Sequence, residues 1–116
     1  MDTRVLGNLE LDRELYELRI DGHRVELTFT EFALLDKLID EAGRVVLHEE
    51  LVASIWGDTS ASKVGRLRVQ MSRLRKKLEG SDPWTIRTVQ RRGYALADLS
   101  EGSSASEPGK NGTPLS

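Results

Sequence analysis

Up to Leu27, apolar and polar side chains alternate in short runs, the period-two signature of half-buried strands. Leu9-Glu10-Leu11-Asp12 alternates strictly. Residues 15–21 put Leu15, Glu17 and Arg19 on one face and Tyr16, Leu18 and Ile20 on the other. Residues 24–27, Arg-Val-Glu-Leu, follow Asp21-Gly22-His23, and Asp-Gly between alternating runs signals a hairpin. A small antiparallel sheet is expected at the N-terminus.

At Thr28 the period changes to helical. Thr28 as N-cap and Glu31 three residues on form a capping box, in which the cap contributes about 1 kcal/mol. Phe32, Leu35, Leu38, Ile39 and Ala42 follow at helical spacing, with Gly43 placed to end the turn. A second helix is predicted from about His48 to Trp56. It has Leu51, Val52, Ile55 and Trp56 apolar, Glu49 and Glu50 in the first turn, and Gly57 at the end. Residues 58–62 form a polar loop, with Ser60 or Ser62 able to cap a third helix. That helix, about 62–79, carries Val64, Leu67, Met71, Leu74 and Leu78 as one apolar stripe, and Gly80 closes it. Residues 85–89 and 94–97 read as strands joined by Gln90-Arg91-Arg92-Gly93. Strands, three helices and a hairpin in that order make an α+β fold. The folded unit is expected over 5–97. The tail, 98–116, is rich in Ser, Gly and Pro and is expected to be disordered.

Composition narrows the chemistry. The 116 residues fit one small domain and contain no cysteine, which removes disulfides, thiolate metal sites and Cys nucleophiles. The N-terminus has no long apolar stretch, so no signal peptide is expected. The longest apolar run, Phe32–Leu35, is far too short to span a bilayer. His23 and His48 have no metal partner at ligand spacing, and the isolated glycines form no phosphate-binding loop. No enzyme activity, cofactor or metal is expected.

Charge changes the picture more. The net charge of −2 argues weakly against a polyanion partner, yet it averages over a strong separation. Residues 1–50 hold 6 basic and 13 acidic side chains, net −7, whereas residues 63–92 hold 10 basic and 2 acidic, net +8. Charge alone leaves open whether this is a solvated face or a surface for phosphates. The third helix sharpens the choice. Opposite its apolar stripe lie Gly65, Arg66, Val69, Ser72, Arg73 and Lys76, with Arg68, Gln70, Arg75 and Lys77 on the flanks. A helix fits the major groove, where Arg takes guanine edges and Gln adenine edges. A membrane-surface helix is the poorer account, because the stripe holds no Trp or Phe and matches the stripes of the other helices. The remaining basic cluster, Arg87, Arg91 and Arg92, sits on the hairpin just after this helix, where arginines can enter a minor groove.

At these residues the chain resembles the winged-helix effector domain of OmpR/PhoB-type bacterial response regulators. Residues 7–12 and 15–57 resemble the family's N-terminal sheet and first two helices, Arg-Val-Gln-Met-Ser-Arg-Leu-Arg-Lys-Lys-Leu-Glu (68–79) its recognition helix, and Ile-Arg-Thr-Val-Gln-Arg-Arg-Gly-Tyr-Ala-Leu (86–96) its wing. The resemblance covers about 6–97. It implies sequence-specific binding of double-stranded DNA in transcriptional control, with the recognition helix in the major groove and the wing, about 85–97, at the minor groove. Arg66, Val69, Gln70 and Arg73 are expected to read or line bases. Arg68, Arg75, Lys76, Lys77, Arg91 and Arg92 are expected at phosphates or the minor groove. Thr88 and Tyr94 match wing positions near the backbone, and Trp56 the second-helix tryptophan; packing is the alternative for both rings. The loop 57–62, with Asp58, Thr59, Ser60 and Ala61, is implied to face RNA polymerase. Tandem binding of two half-sites and a cytoplasmic location are further implications.

The sequence departs from the family pattern in places. Phe29 stands where Pro is usual, and Leu47 where Ser or Thr often caps, so the second helix has lost half a capping box. Gly65 stands where a basic or polar residue is common, and Gln70 where His is common. Gln90-Arg91-Arg92-Gly93 stands where Arg-Gly-x-Gly is usual. The family's receiver domain is not in the sequence, which leaves an excised effector domain or a regulator without a receiver as alternatives. A winged-helix module that binds protein instead of DNA is the competing reading; the net +8 of residues 63–92 weighs against it.

Overall fold

A computed structural model describes residues 2–57, 61–81 and 84–98 of the chain. The N-terminal alternation becomes four antiparallel strands in sequential order: β1 (Thr3–Leu6), β2 (Leu9–Asp12), β3 (Glu17–Ile20) and β4 (His23–Val25). Leu9, Leu11, Leu18 and Ile20 are buried on one face. The Asp21-Gly22 turn forms as expected: Ile20 pairs with His23, and both central residues have positive φ, +57° and +82°.

Two features of this sheet lie outside the alternation. β1 is a strand that the pattern does not mark. Its signal is the Gly7-Asn8 turn, where Gly7 at φ +60° lets Leu6 pair with Leu9. The third strand begins at Glu17, not Leu15, because the Asp12 Oδ1 accepts the backbone N–H of Glu14 (2.9 Å) and Leu15 (3.0 Å) and holds residues 13–16 in a turn. Tyr16 closes that turn at φ +54° with its ring edge-on to Phe32, centroids 5.1 Å apart.

Helix α1 (Phe29–Asp40) starts with the predicted capping box: Thr28 Oγ1 accepts from the Glu31 N–H (3.1 Å), and Glu31 Oε1 from the Thr28 N–H (2.9 Å). It ends at Glu41, before Gly43. The positive φ of Gly43 serves instead to aim its N–H at the Leu96 carbonyl (2.9 Å) and turn the chain into a strand the sequence does not mark, β5 (Val45–Leu47). Helix α2 (His48–Trp56) follows directly. Leu47 has no side-chain oxygen to offer, so only the reverse half of its cap remains, Glu50 Oε1 accepting the Leu47 N–H at 3.2 Å. Helix α3 (Ala61–Lys77) packs on α1 and α2.

The C-terminal hairpin pairs β6 (Trp84–Val89) with β7 (Gly93–Asp98). Asp98, expected at the start of the tail, is the last residue of β7 and pairs with Trp84; residues 99–116 lie outside the described residues. β5 adds to the other edge of β7, giving the order β5-β7-β6. Sheet, three helices and hairpin form the expected winged helix around one core, drawn from both sheets and all three helices.

β5 and β7 meet so closely at Gly93 that a Cβ there would lie 1.9 Å from the Val46 carbonyl oxygen. No rotamer relieves a clash between backbones. Gly93→Ala is therefore expected to lower stability by about 2–4 kcal/mol, measured by urea unfolding, whereas Gly65→Ala, whose Cβ meets nothing within 4 Å, is expected to be neutral or stabilising.

Candidate nucleic-acid interface

The apolar stripe decides which way α3 faces. Leu67, Met71, Leu74 and Leu78 are all at most 3% exposed, and Val64 packs partly against the same core. Gly65, Arg66, Arg68, Val69, Ser72, Arg73 and Lys76 are consequently exposed, and Gln70 is half-buried on the flank. The residues predicted to read bases, Arg66, Val69, Gln70 and Arg73, thus lie on or beside one outward face of a 17-residue helix.

The wing presents its charge through a tight turn. The Val89 carbonyl accepts the Arg92 N–H (3.0 Å), and Arg91, third of the four turn residues, takes φ +66°. That left-handed position favours glycine, which is what the family pattern places there. Arg91 and Arg92 are both exposed. The turn is fixed to the rest of the fold where Leu47 pairs with Gly93 and the His48 N–H donates to the Arg92 carbonyl (2.8 Å). A cleft of about 790 Å³ runs between the wing turn and the starts of α2 and α3, lined by residues including His48, Glu49, Val64, Arg91 and Arg92. His48, read from sequence only as the first residue of a helix, is thus a backbone anchor for the wing.

Pairing separates the two charged halves of the protein. All five arginines of residues 1–50 are in ion pairs. Arg13 bridges Asp36 (2.6 Å) and Asp40 (2.9 Å), Arg4 meets Asp40 (2.9 Å), Arg19 and Arg24 meet Glu17, and Arg44 meets Glu41. The Asp40 carboxylate, through its hydrogen bond, together with Asp36, holds the Arg13 charge more firmly than usual. Arg13 and Arg4 hold the Asp40 carboxyl below the ordinary range in turn. Among the described residues, no carboxylate pairs with Arg66, Arg68, Arg73, Lys76, Arg87, Arg91 or Arg92. Arg87, exposed on β6, belongs to the basic cluster of the sequence but not to the residues expected to contact DNA.

Four of the side chains expected at DNA make contacts within the protein. Lys77 turns inward: its Nζ lies 2.6 Å from Glu31 Oε1, and Glu31 is only 2% exposed. Burial pushes the Glu31 carboxyl up, but the Lys77 ammonium and the Thr28 N–H outweigh it and hold the pKa below its ordinary 4.5. Lys77 thereby ties α3 to α1. Arg75, half-buried, donates from Nε to the Ile86 carbonyl (3.2 Å) and from Nη2 to Thr88 Oγ1. Both Arg75 and Thr88 are thus engaged with one another. Tyr94 is 5% exposed, its ring edge-on to His48 at 5.5 Å, and burial raises its hydroxyl pKa; the packing alternative describes it. Trp56 is half-buried against the core. Asp58, Thr59 and Ser60 lie outside the described residues, and Ala61 is the first residue of α3. Among the described residues no helix is long and apolar enough to cross a membrane, and no cluster of His, Asp and Glu could hold a metal ion.

Residues 22–96 match the family described as "Transcriptional regulatory protein, C terminal". The phosphate regulon transcriptional regulatory protein PhoB of Rhizobium meliloti (strain 1021) is 38% identical over 91 residues, covering 78% of this chain and 40% of that protein. The sensory transduction protein RegX3 of Mycobacterium leprae (strain TN) is 33% identical over 92 residues, covering 78% of this chain and 46% of that protein. The chain thus spans less than half the length of these relatives. Among solved structures, the Klebsiella pneumoniae RstA DNA-binding domain in complex with the RstA box superposes with a TM-score of 0.76 at 30% identity, covering 84% of this chain and 98% of that one. The DNA-binding domain of CpxR from E. coli superposes with a TM-score of 0.73, also at 30% identity, covering 85% of this chain and 99% of that one.

Neighbouring lysines should separate packing from surface charge. Lys77→Ala leaves Glu31 buried and unpaired and is expected to cost about 1–3 kcal/mol of stability at pH 7, against about 0.5 or less for exposed Lys76→Ala. Because the folded pKa of Glu31 is lowered, the stability from its charge is fully present above about pH 4.5 and is lost as pH falls through the folded value. Urea unfolding of Lys77→Ala and the unaltered chain should therefore converge at acidic pH.

Proposed function

The chain belongs to the transcriptional regulatory protein C-terminal family, of the OmpR/PhoB type, and from that premise we propose that it binds double-stranded DNA sequence-specifically to control transcription. Helix α3 enters the major groove, and the wing turn lies at the adjacent minor groove. Arg66, Val69, Gln70 and Arg73 read or line base edges, with Arg and Gln supplying the bidentate donors that distinguish guanine and adenine. Arg68 and Lys76 meet phosphates, and Arg91 and Arg92 meet the narrow, negative minor groove or its rims. Trp56, half-buried at the end of α2, presents its exposed edge toward the backbone.

One observation carries this reading. The arginines of the acidic sheet are neutralised by partners, whereas the cations of α3 and the wing named above have no carboxylate among the described residues. An unpaired cationic face on a domain whose sheet is acidic orients the domain on a polyanion. The relatives are transcriptional regulators and DNA-binding domains rather than enzymes. Tandem half-sites, contact of the loop 57–62 with RNA polymerase, and action in the cytoplasm are the parts of the proposal that rest on family resemblance alone. Tandem binding would put half-sites about 10–10.5 base pairs apart.

The test is a titration of duplexes selected from a random pool at several salt concentrations. With about four to six phosphates neutralised, log affinity against log salt should fall with a slope between about −4 and −5. Arg73→Ala should lose about 1–3 kcal/mol of discrimination between the selected duplex and scrambled sequence. Salt-insensitive binding, or binding to no duplex, would overturn the proposal.

A further inference from the structure

Building on the DNA-binding reading, we propose that Arg75 is a positioning residue: its guanidinium ties α3 to the wing and sets the angle at which the two address one half-site. The sequence alone makes Arg75 one more cation of a basic helix. The structure gives its donors other work. Nε–H bonds the Ile86 carbonyl at 3.2 Å and an Nη2 hydrogen bonds Thr88 Oγ1, so two edges of one planar group grip two residues of β6. Among the described residues these are the only side-chain hydrogen bonds from α3 to the hairpin.

The grip adds polar anchors to a strand otherwise held to the core through Ile86 and Trp84. On the β7 side the turn is held through Leu47 paired with Gly93 and the His48 N–H on the Arg92 carbonyl, whereas Arg91 is reached from β6. β6 is an edge strand of its sheet, and its only strand partner is β7. The edge strand of so small a sheet twists readily. Two bonds from a rigid fork fix both the distance and the orientation of the ribbon relative to α3, which one bond from a flexible ammonium cannot do. Helix and wing would reach adjacent grooves as one body, so that Arg73 at the major groove and Arg91 at the minor groove bind together.

A double-mutant cycle separates this role from a phosphate contact. Affinity for the selected duplex is measured for the unaltered chain, Arg75→Lys, Arg91→Ala and the double variant, with melting curves to establish folding. Arg75→Lys keeps the charge and removes the fork. Arg91→Ala should weaken binding about tenfold alone but by less than about threefold in the Arg75→Lys background, because a wing no longer held contributes little. Thr88→Val, which suits a strand, should weaken the effect of Arg91→Ala in the same way without touching Arg75, and Thr88→Ser, which keeps the hydroxyl, should restore it. An equal cost of Arg91→Ala in every background would overturn the positioning role while leaving DNA binding intact. Failure of the unaltered chain to bind any duplex would overturn the DNA reading, and the positioning role with it.

Discussion

Burial of Leu67, Met71, Leu74 and Leu78 is the constraint on which the rest of the molecule depends. Each such side chain contributes about 1.5–3 kcal/mol when removed from water, and together they hold one side of α3 in the core shared by α1 and α2. A helix so held has no freedom to choose its other face. Arg66, Val69, Arg73 and Lys76 are exposed because the stripe leaves them nowhere else to go. The Glu31–Lys77 pair adds a polar pin at the far end of the same helix. It spans 46 residues of sequence to join the last turn of α3 to the first turn of α1. One carboxylate both caps α1 and docks α3, so the start of one helix and the placement of another rest on a single side chain.

The wing depends on a different kind of constraint, the approach of backbones. Only a residue without a Cβ allows β7 to lie against β5 at Gly93. That pairing, with the His48 N–H on the Arg92 carbonyl, delivers the turn beside α2. At its tip Arg91 occupies a left-handed conformation that costs a non-glycine residue of order 1–3 kcal/mol. The turn would be more comfortable with the glycine usual in the family, and it would then carry one cation fewer. Gln90 likewise stands where that pattern has Arg. The wing's charge thus lies at Arg91 and Arg92, the first of them in a left-handed backbone conformation.

The features legible in the sequence are local or periodic. The capping box of Thr28 and Glu31, the Asp21-Gly22 turn, the stripe of α3 and its outward cations are all set within a few residues, and pattern alone finds them. β1 (Thr-Arg-Val-Leu) and β5 (Val-Val-Leu) do not alternate, so no period marks them; only the Gly7-Asn8 turn advertises the first. The strand expected from Leu15 begins two residues late because one side chain, Asp12, claims the backbone N–H groups of Glu14 and Leu15. Arg75, Lys77, Thr88 and Tyr94 make internal contacts that the sequence does not mark, and for one reason. Their partners, Ile86, Glu31 and His48 among them, lie 11 to 46 residues away, and composition cannot tell a cation that meets solvent from one spent on a tertiary contact.

The physical account is thus a division of labour among like residues. Some basic side chains hold the recognition helix and wing in place, and others, left unpaired, meet the polyanion. The most direct test tracks backbone amide resonances while the selected duplex is added. The account predicts shifts concentrated at residues 65–76 and 87–92, with the acidic strands 3–25 almost unmoved. Shifts centred on the acidic sheet, or spread evenly over the domain, would contradict it.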